Sequence, residues 1–151
     1  MCRPKSHARC AFTIIELVVV VMILGILAAI AAPRLFHTSD MAVDNGARQT
    51  LGVIRTAIDS FAAQHEGKLP GADGAATTLL TDLAAYLRGP EFPACPVGQA
   101  KNNDVRMLTG SVTGIAATAA TFSWLYIYDT GDFFINSTDV SADEDTRYDE
   151  F

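Results

Sequence analysis

Cysteine and positive charge are scarce in this 151-residue chain, and each shortage excludes something. Cys2 and Cys10 lie in the first eleven residues, which leaves Cys95 alone in the body of the chain. A single cysteine cannot form an internal disulfide, so Cys95 is a free thiol or an intermolecular bridge, and it reads first as a buried, inert thiol. Metal-ligand spacing is missing too: His37 and His65 stand isolated, and they read as ordinary surface or packing residues. Beyond residue 11 there are 8 basic against 17 acidic residues, with no cluster of Lys and Arg. Phosphate binding needs such a cluster, so nucleic acid is not an expected partner. There is also no nucleophile elbow, no phosphate loop and no His-carboxylate constellation. These absences argue against an enzyme and leave no cofactor or metal to be held.

What the chain does have is a long apolar run near its start. From Leu17 to Ala32 there is no charged or strongly polar residue, and from Phe12 to Ala32 only Thr13 and Glu16 are polar. As a helix this stretch is roughly 31 Å long, about one bilayer core. Arg3, Lys5 and Arg9 precede it with no acid among them. Basic flanks stay cytoplasmic, which places the N-terminus inside and everything beyond Pro33 across the membrane.

A cleaved secretory signal would use the small residues Ala28 to Ala32, but Glu16 then sits within its apolar region and Pro33 follows the cut. A plain signal anchor explains length and charge bias and leaves Glu16 as a cost, reduced by its position one turn from Phe12. A third reading accounts for the acid. The stretch "AFTIIELVVVVMILGILAAIAAPRL" resembles the processing and assembly signature of type IV pilins and type II secretion pseudopilins. In that family a basic leader is cut before a Phe, a Glu follows four residues later, and a Gly and a Pro recur in the apolar helix. Phe12, Glu16, Gly25 and Pro33 match those positions, while Ala11 stands where the family usually has Gly. The resemblance implies a prepilin peptidase cutting between Ala11 and Phe12, and N-methylation of Phe12. It also implies pairing between the Phe12 amine of one subunit and Glu16 of its neighbour, an assembly role for Glu16, Gly25 and Pro33, and loss of helicity between Gly25 and Pro33 on assembly.

Downstream, Ala47, Leu51, Ile54, Ile58 and Phe61 recur at helical spacing and predict one buried face. On the opposite side Asp44 with Arg48, and Arg55 with Asp59, fall at i,i+4 and suit a solvated face. Gly67 and "LPGADG" end this helix, and a second is expected over 77–87, stopped by Gly89-Pro90. The loop "GPEFPACPVGQAKNND" leads to two strand-like segments. These are "DVRMLTG" and "TFSWLYIYDTGDFFIN", the latter a hairpin turning at Asp129 to Asp132 with Gly131 free to take a positive φ. Phe122, Trp124, Tyr126 and Tyr128 alternate onto one face, Leu125 and Ile127 onto the other. This loop, strand and hairpin also resemble a subset of pseudopilin-like proteins with a "P-x-x-P-x-G" loop before a Trp-Tyr strand. Major pseudopilins hold calcium in a C-terminal loop, but the spacing in "STDVSADEDTRYDEF" reproduces no such motif, and the tail reads as solvated.

The resulting expectation is an α+β, pilin-like subunit whose long N-terminal helix, membrane-embedded in its first half, packs on a small C-terminal antiparallel sheet. Residues 1–11 form the leader, 12–33 the transmembrane and assembly helix, and 34–151 the globular domain with the second half of the helix. The resemblance implies a structural subunit of a type II secretion pseudopilus, anchored once in the inner membrane with a periplasmic domain. Its partners would be the peptidase, related subunits in a filament, an inner-membrane assembly platform and lipid. A type IV or minor pilin serving adhesion, motility or DNA uptake stays open, as does an anchored outer binding domain that does not polymerise.

Overall fold

The computed structural model describes residues 12–110, 121–143 and 146–151, with the side chains of residues 33–37 outside the described set. The leader with Ala11, the His37 side chain, and Glu144 with Asp145 of the tail therefore lie outside the described residues. Helix α1 covers Ile14–Gln64, α2 covers Ala76–Leu83, and three strands follow. These are β1 (Val105–Leu108), β2 (Trp124–Ile127) and β3 (Asp132–Ile135), with a 3₁₀ turn at Tyr148–Glu150. The chain divides into two compact units, the first ending at Thr38 and the second beginning at Ser39.

In the first unit α1 is helical from Ile14 onward, and the helix runs through Gly25 and Pro33 without a break. Residues Ile14–Ala32 make one stretch long and apolar enough to cross a membrane, and none of it is buried.

The second unit is organised by the α1 face that the periodicity predicts. Ala47, Leu51, Ile54, Ile58 and Phe61 are all buried, and Ala57 joins them. The helix stops where Glu66 and Gly67 take positive φ, and the Gly67 N–H donates to the Ala62 carbonyl at 2.8 Å. Leu79 and Leu83 of α2 complete the helical side of the core. That helix ends four residues earlier than the expected span, because the chain tightens into turns, with the Tyr86 and Leu87 N–H groups both donating to the Leu83 carbonyl. The change of course sets Tyr86 edge-on to the Phe61 ring, 5.9 Å between centroids.

The sheet order is β1-β2-β3, and the sheet is mixed rather than all antiparallel. β2 and β3 form the expected antiparallel hairpin, Trp124 facing Ile135 and Ile127 facing Asp132. β1 instead runs parallel to β2, Val105 beside Trp124. A parallel pair needs a crossover of a dozen or more residues, and the stretch between Leu108 and Trp124 is long enough to make one. Gly131 closes the hairpin at φ +84, where an added Cβ would lie 2.9 Å from the Leu69 Cδ2.

As the central strand, β2 is buried on both faces. Trp124 and Tyr126 enter the main core with Val105, Phe133, Ile135, Cys95 and Val97. The Trp124 indole lies 5.4 Å from the Phe133 ring and its Nε1–H donates to the Pro93 carbonyl at 2.9 Å. That bond ties the proline-rich loop to the sheet.

The two charged pairs expected on a solvated α1 face are not made; Asp44, Arg48 and Arg55 bind groups far along the chain, and Asp59 is exposed. Asp44 is buried and accepts hydrogen bonds from the C-terminal segment. Arg48 reaches Asp143 at 3.6 Å. Arg55 donates from Nε and Nη2 to the Phe133 carbonyl at 3.1 and 2.8 Å. In an antiparallel ladder alternate residues turn their carbonyls away from the partner strand, and β3 is an edge, so Arg55 occupies an acceptor that the sheet leaves open. The described part of the tail is likewise folded rather than loose. Val140 bridges Arg147, the Tyr148 N–H donates to the Asp139 carbonyl, and the Asp149 N–H donates to the Ser137 carbonyl.

Candidate functional site: the N-terminal helix

The start of α1 is set by a short local signal. Thr13 precedes the first helical residue, and its Oγ1 accepts from the Glu16 N–H at 3.3 Å. Its backbone carbonyl takes the Glu16 and Leu17 N–H groups at 3.2 and 3.3 Å. A hydroxyl at the helix entrance satisfies one of the amides that have no intrahelical acceptor. The pattern Thr13-x-x-Glu16 is the sequence form of a capping box, a local signal that the chain carries beside the apolar run. An acid in the first turn also faces the positive end of the helix dipole. Glu16 thus has a local structural reason for its place, in addition to any role in assembly.

The predicted site residues fall on one helix. Phe12 lies two residues before it and is 71% exposed. Glu16 is exposed in the first turn, and Gly25 sits in the middle of the apolar stretch, where an added Cβ would meet nothing within 4 Å. Pro33 falls where the helix continues, one residue past the apolar stretch. Among the described residues no contact brings Phe12, Glu16 and Gly25 together. Around them Ile14, Ile15, Leu17, Met22, Ile23, Leu24, Leu27 and Ile30 all present open side chains. An apolar surface of this extent is not left to water, and it requires lipid or other apolar helices around it.

The remaining candidates resolve simply. Cys95 is a free, buried thiol, and burial pushes its pKa up. His65 stacks on the Phe61 ring, 3.9 Å between centroids, with Nδ1 2.9 Å from the Phe61 carbonyl, as a packing histidine does. Among the described residues there is no group of three or more His, Cys, Asp or Glu placed to hold a metal ion.

A membrane-length N-terminal helix, capped at Thr13 and followed by an α+β unit built on the same helix, defines a pilin-like protein. Residues 6–32 match the prokaryotic N-terminal methylation motif. The competence protein ComGC of Halalkalibacterium halodurans is 30% identical over 99 residues, covering 64% of this chain and 86% of that protein. The chain therefore belongs to the type IV pilin-like family that includes this competence pseudopilin. No solved structure matches it.

Proposed function

We propose that this chain is a polymerising subunit of a pilin-like filament. A prepilin peptidase removes residues 1–11 by cutting between Ala11 and Phe12 on the cytoplasmic side, and Phe12 is then N-methylated. The leader's Arg3, Lys5 and Arg9 hold that end inside, and the unit beyond Ser39 lies across the inner membrane. Subunits leave the bilayer through an assembly platform and join through the helix from Phe12 to Pro33, with Gly25 and Pro33 as its weakest points. The single observation that carries this reading is the wholly exposed apolar stretch Ile14–Ala32, entered at Phe12 with one acid, Glu16, in its first turn. Glu16 receives the positively charged amine of a neighbouring Phe12. An unpaired charge in an apolar setting is costly and a paired one is tolerable, so only subunits in register are accepted.

The system served is a finer question. Similarity to a competence protein favours a filament for DNA uptake over the type II secretion pseudopilus first inferred. Beyond residue 11 the chain has no basic cluster, so its part in uptake is mechanical and not direct binding of DNA. Deleting the gene should abolish transformation and leave protein secretion intact; loss of secretion with normal transformation would reverse that assignment.

The test of the assembly role replaces Glu16 with Gln or Leu. Insertion should be unimpaired, because removing a charge makes an apolar segment easier to insert. Sheared or cross-linked filament should be lost while membrane-fraction levels stay normal. Normal filaments from either variant would reduce Glu16 to the helix cap that Thr13-x-x-Glu16 already explains.

A further inference from the structure

The C-terminal residues Ser137–Asp143 and Thr146–Phe151 are stitched mainly to one another. The Ser141 N–H donates to the Thr146 carbonyl at 2.9 Å and its Oγ donates to the same oxygen at 2.8 Å. The Ser141 hydroxyl also contacts the Asp143 carboxylate, Arg147 pairs with Asp149 at 2.6 Å, and Tyr148 stacks edge-on to Phe151. Among the described residues, the hydrogen bonds from this segment to helix α1 end on one carboxylate. Asp44 accepts the Ala142 N–H on Oδ2 and the Tyr148 hydroxyl on Oδ1, each at 2.5 Å, across 98 and 104 positions of sequence. One turn further on, the Arg48 guanidinium lies 3.5 Å over the Phe151 ring and 3.6 Å from Asp143, both partners of that ion pair about half exposed.

Apolar burial holds the same segment only at the margin of the core, through the partly buried Tyr148 and Phe151, while the buried Ser141 is held by its own hydrogen bonds within the segment. No residue of the 3₁₀ turn is buried, and Val140 is 53% exposed. Between the segment and α1 lies a groove of about 420 Å³ bordered by Asp40, Val43, Val97, Lys101 and Asp139. Its near end is fixed differently, because Ser137 is buried against Gly98, where an added Cβ would meet the Ser137 Cβ at 3.2 Å.

We propose that these residues form a strap, hinged at Ser137 and latched on the Asp44 carboxylate, which opens and closes as a unit while the three-stranded sheet stays folded. An ionised carboxylate is an acceptor on both oxygens and suits two converging donors. Both donors lie on the strap, so the latch is made or lost in one step. Opening clears the groove over Val43 and Val97 and withdraws Tyr148 and Phe151 from the margin of the core.

The test uses the full chain in detergent and follows amide exchange at Ala142 together with the rate of trypsin cleavage after Arg147. Tyr148→Phe removes one donor without touching the Ala142 bond. It should nonetheless speed Ala142 exchange and Arg147 cleavage by at least about tenfold, the lower end of what one hydrogen bond to a charged group gives. Asp44→Asn should do at least as much. In both variants the amides of Trp124–Ile127 and Asp132–Ile135 should exchange at the unaltered rate. Unchanged Ala142 exchange in Tyr148→Phe would show that the two bonds are independent and overturn the proposal. So would faster exchange throughout the sheet, which would make the segment part of the core. Release by EDTA in the unaltered chain would also overturn it, by showing that a cation and not Asp44 holds the strap.

Discussion

Trp124→Ala is the most informative perturbation of the globular unit, because one buried side chain ties the core of the sheet to the proline-rich loop. The indole is fully buried, packs tilted against Phe133, and donates to the Pro93 carbonyl. Truncation removes its packing, leaves a cavity beside Phe133 in the core cluster, and takes the donor from a loop carbonyl. Replacing a buried Trp by Ala costs about 3–5 kcal/mol. Small domains hold roughly 5–15 kcal/mol in total, so the variant retains little margin. Trp124→Phe separates the contributions: it keeps most of the ring volume and loses the hydrogen bond, for which about 1 kcal/mol is expected. Urea unfolding of the full chain in detergent, followed by near-ultraviolet circular dichroism of its tyrosines, gives both values. With a slope of about 1–3 kcal/mol per molar urea, the Ala variant should unfold at a midpoint lower by about 2 M. A shift under about 0.5 M would refute the reasoning and would mean that the indole contributes to a surface instead.

Arg55→Met keeps the aliphatic stem but leaves the Phe133 carbonyl at the sheet edge without its donor; a loss of about 1–3 kcal/mol in the same urea assay is expected, and no loss would mean that water replaces the guanidinium fully. Cys95 should resist alkylation in the folded chain and react once urea unfolds it, since burial both shields the thiol and raises its pKa above the ordinary 9.0. Because the folded value is the higher one, the thiol's contribution to stability is complete below the unfolded pKa and is lost as pH rises through the folded pKa, so urea midpoints should fall in strongly alkaline buffer. A Cys95→Ala variant with the same alkaline decline would assign that decline to other groups.

The parts of the fold that were legible in the sequence are those with a local period. Ala47 through Phe61 repeat every three or four residues, and a helix turns such positions to one side whatever lies opposite. Trp124 and Tyr126 alternate with Leu125 and Ile127, and Gly131 sits where a hairpin needs a positive φ. The charged residues on α1 were not legible. Asp44 and Arg48 at i,i+4 have the spacing of a local pair, yet their partners lie about a hundred positions away, beyond what any helical period encodes. Arg55 answers to a carbonyl 78 positions distant for the same reason. The parallel pairing of β1 was hidden because strand patterning gives a strand's faces and not its direction relative to a neighbour. At the N-terminal helix the order was reversed. The motif from Phe12 to Pro33 could be read at once, while the cap from Thr13 to the Glu16 amide, equally local, emerged only from the hydrogen bonds.

Assembly through Glu16 requires processing at Phe12, because only a cut there frees an amine at the mouth of the apolar helix for Glu16 to meet. The direct measurement is the intact mass and N-terminal sequence of the protein extracted from membranes. A mature chain beginning with N-methylated Phe12, its apolar helix retained, is the predicted result. A chain beginning near Ala32 or Pro33, with that helix removed, would contradict the account and leave a simply secreted domain.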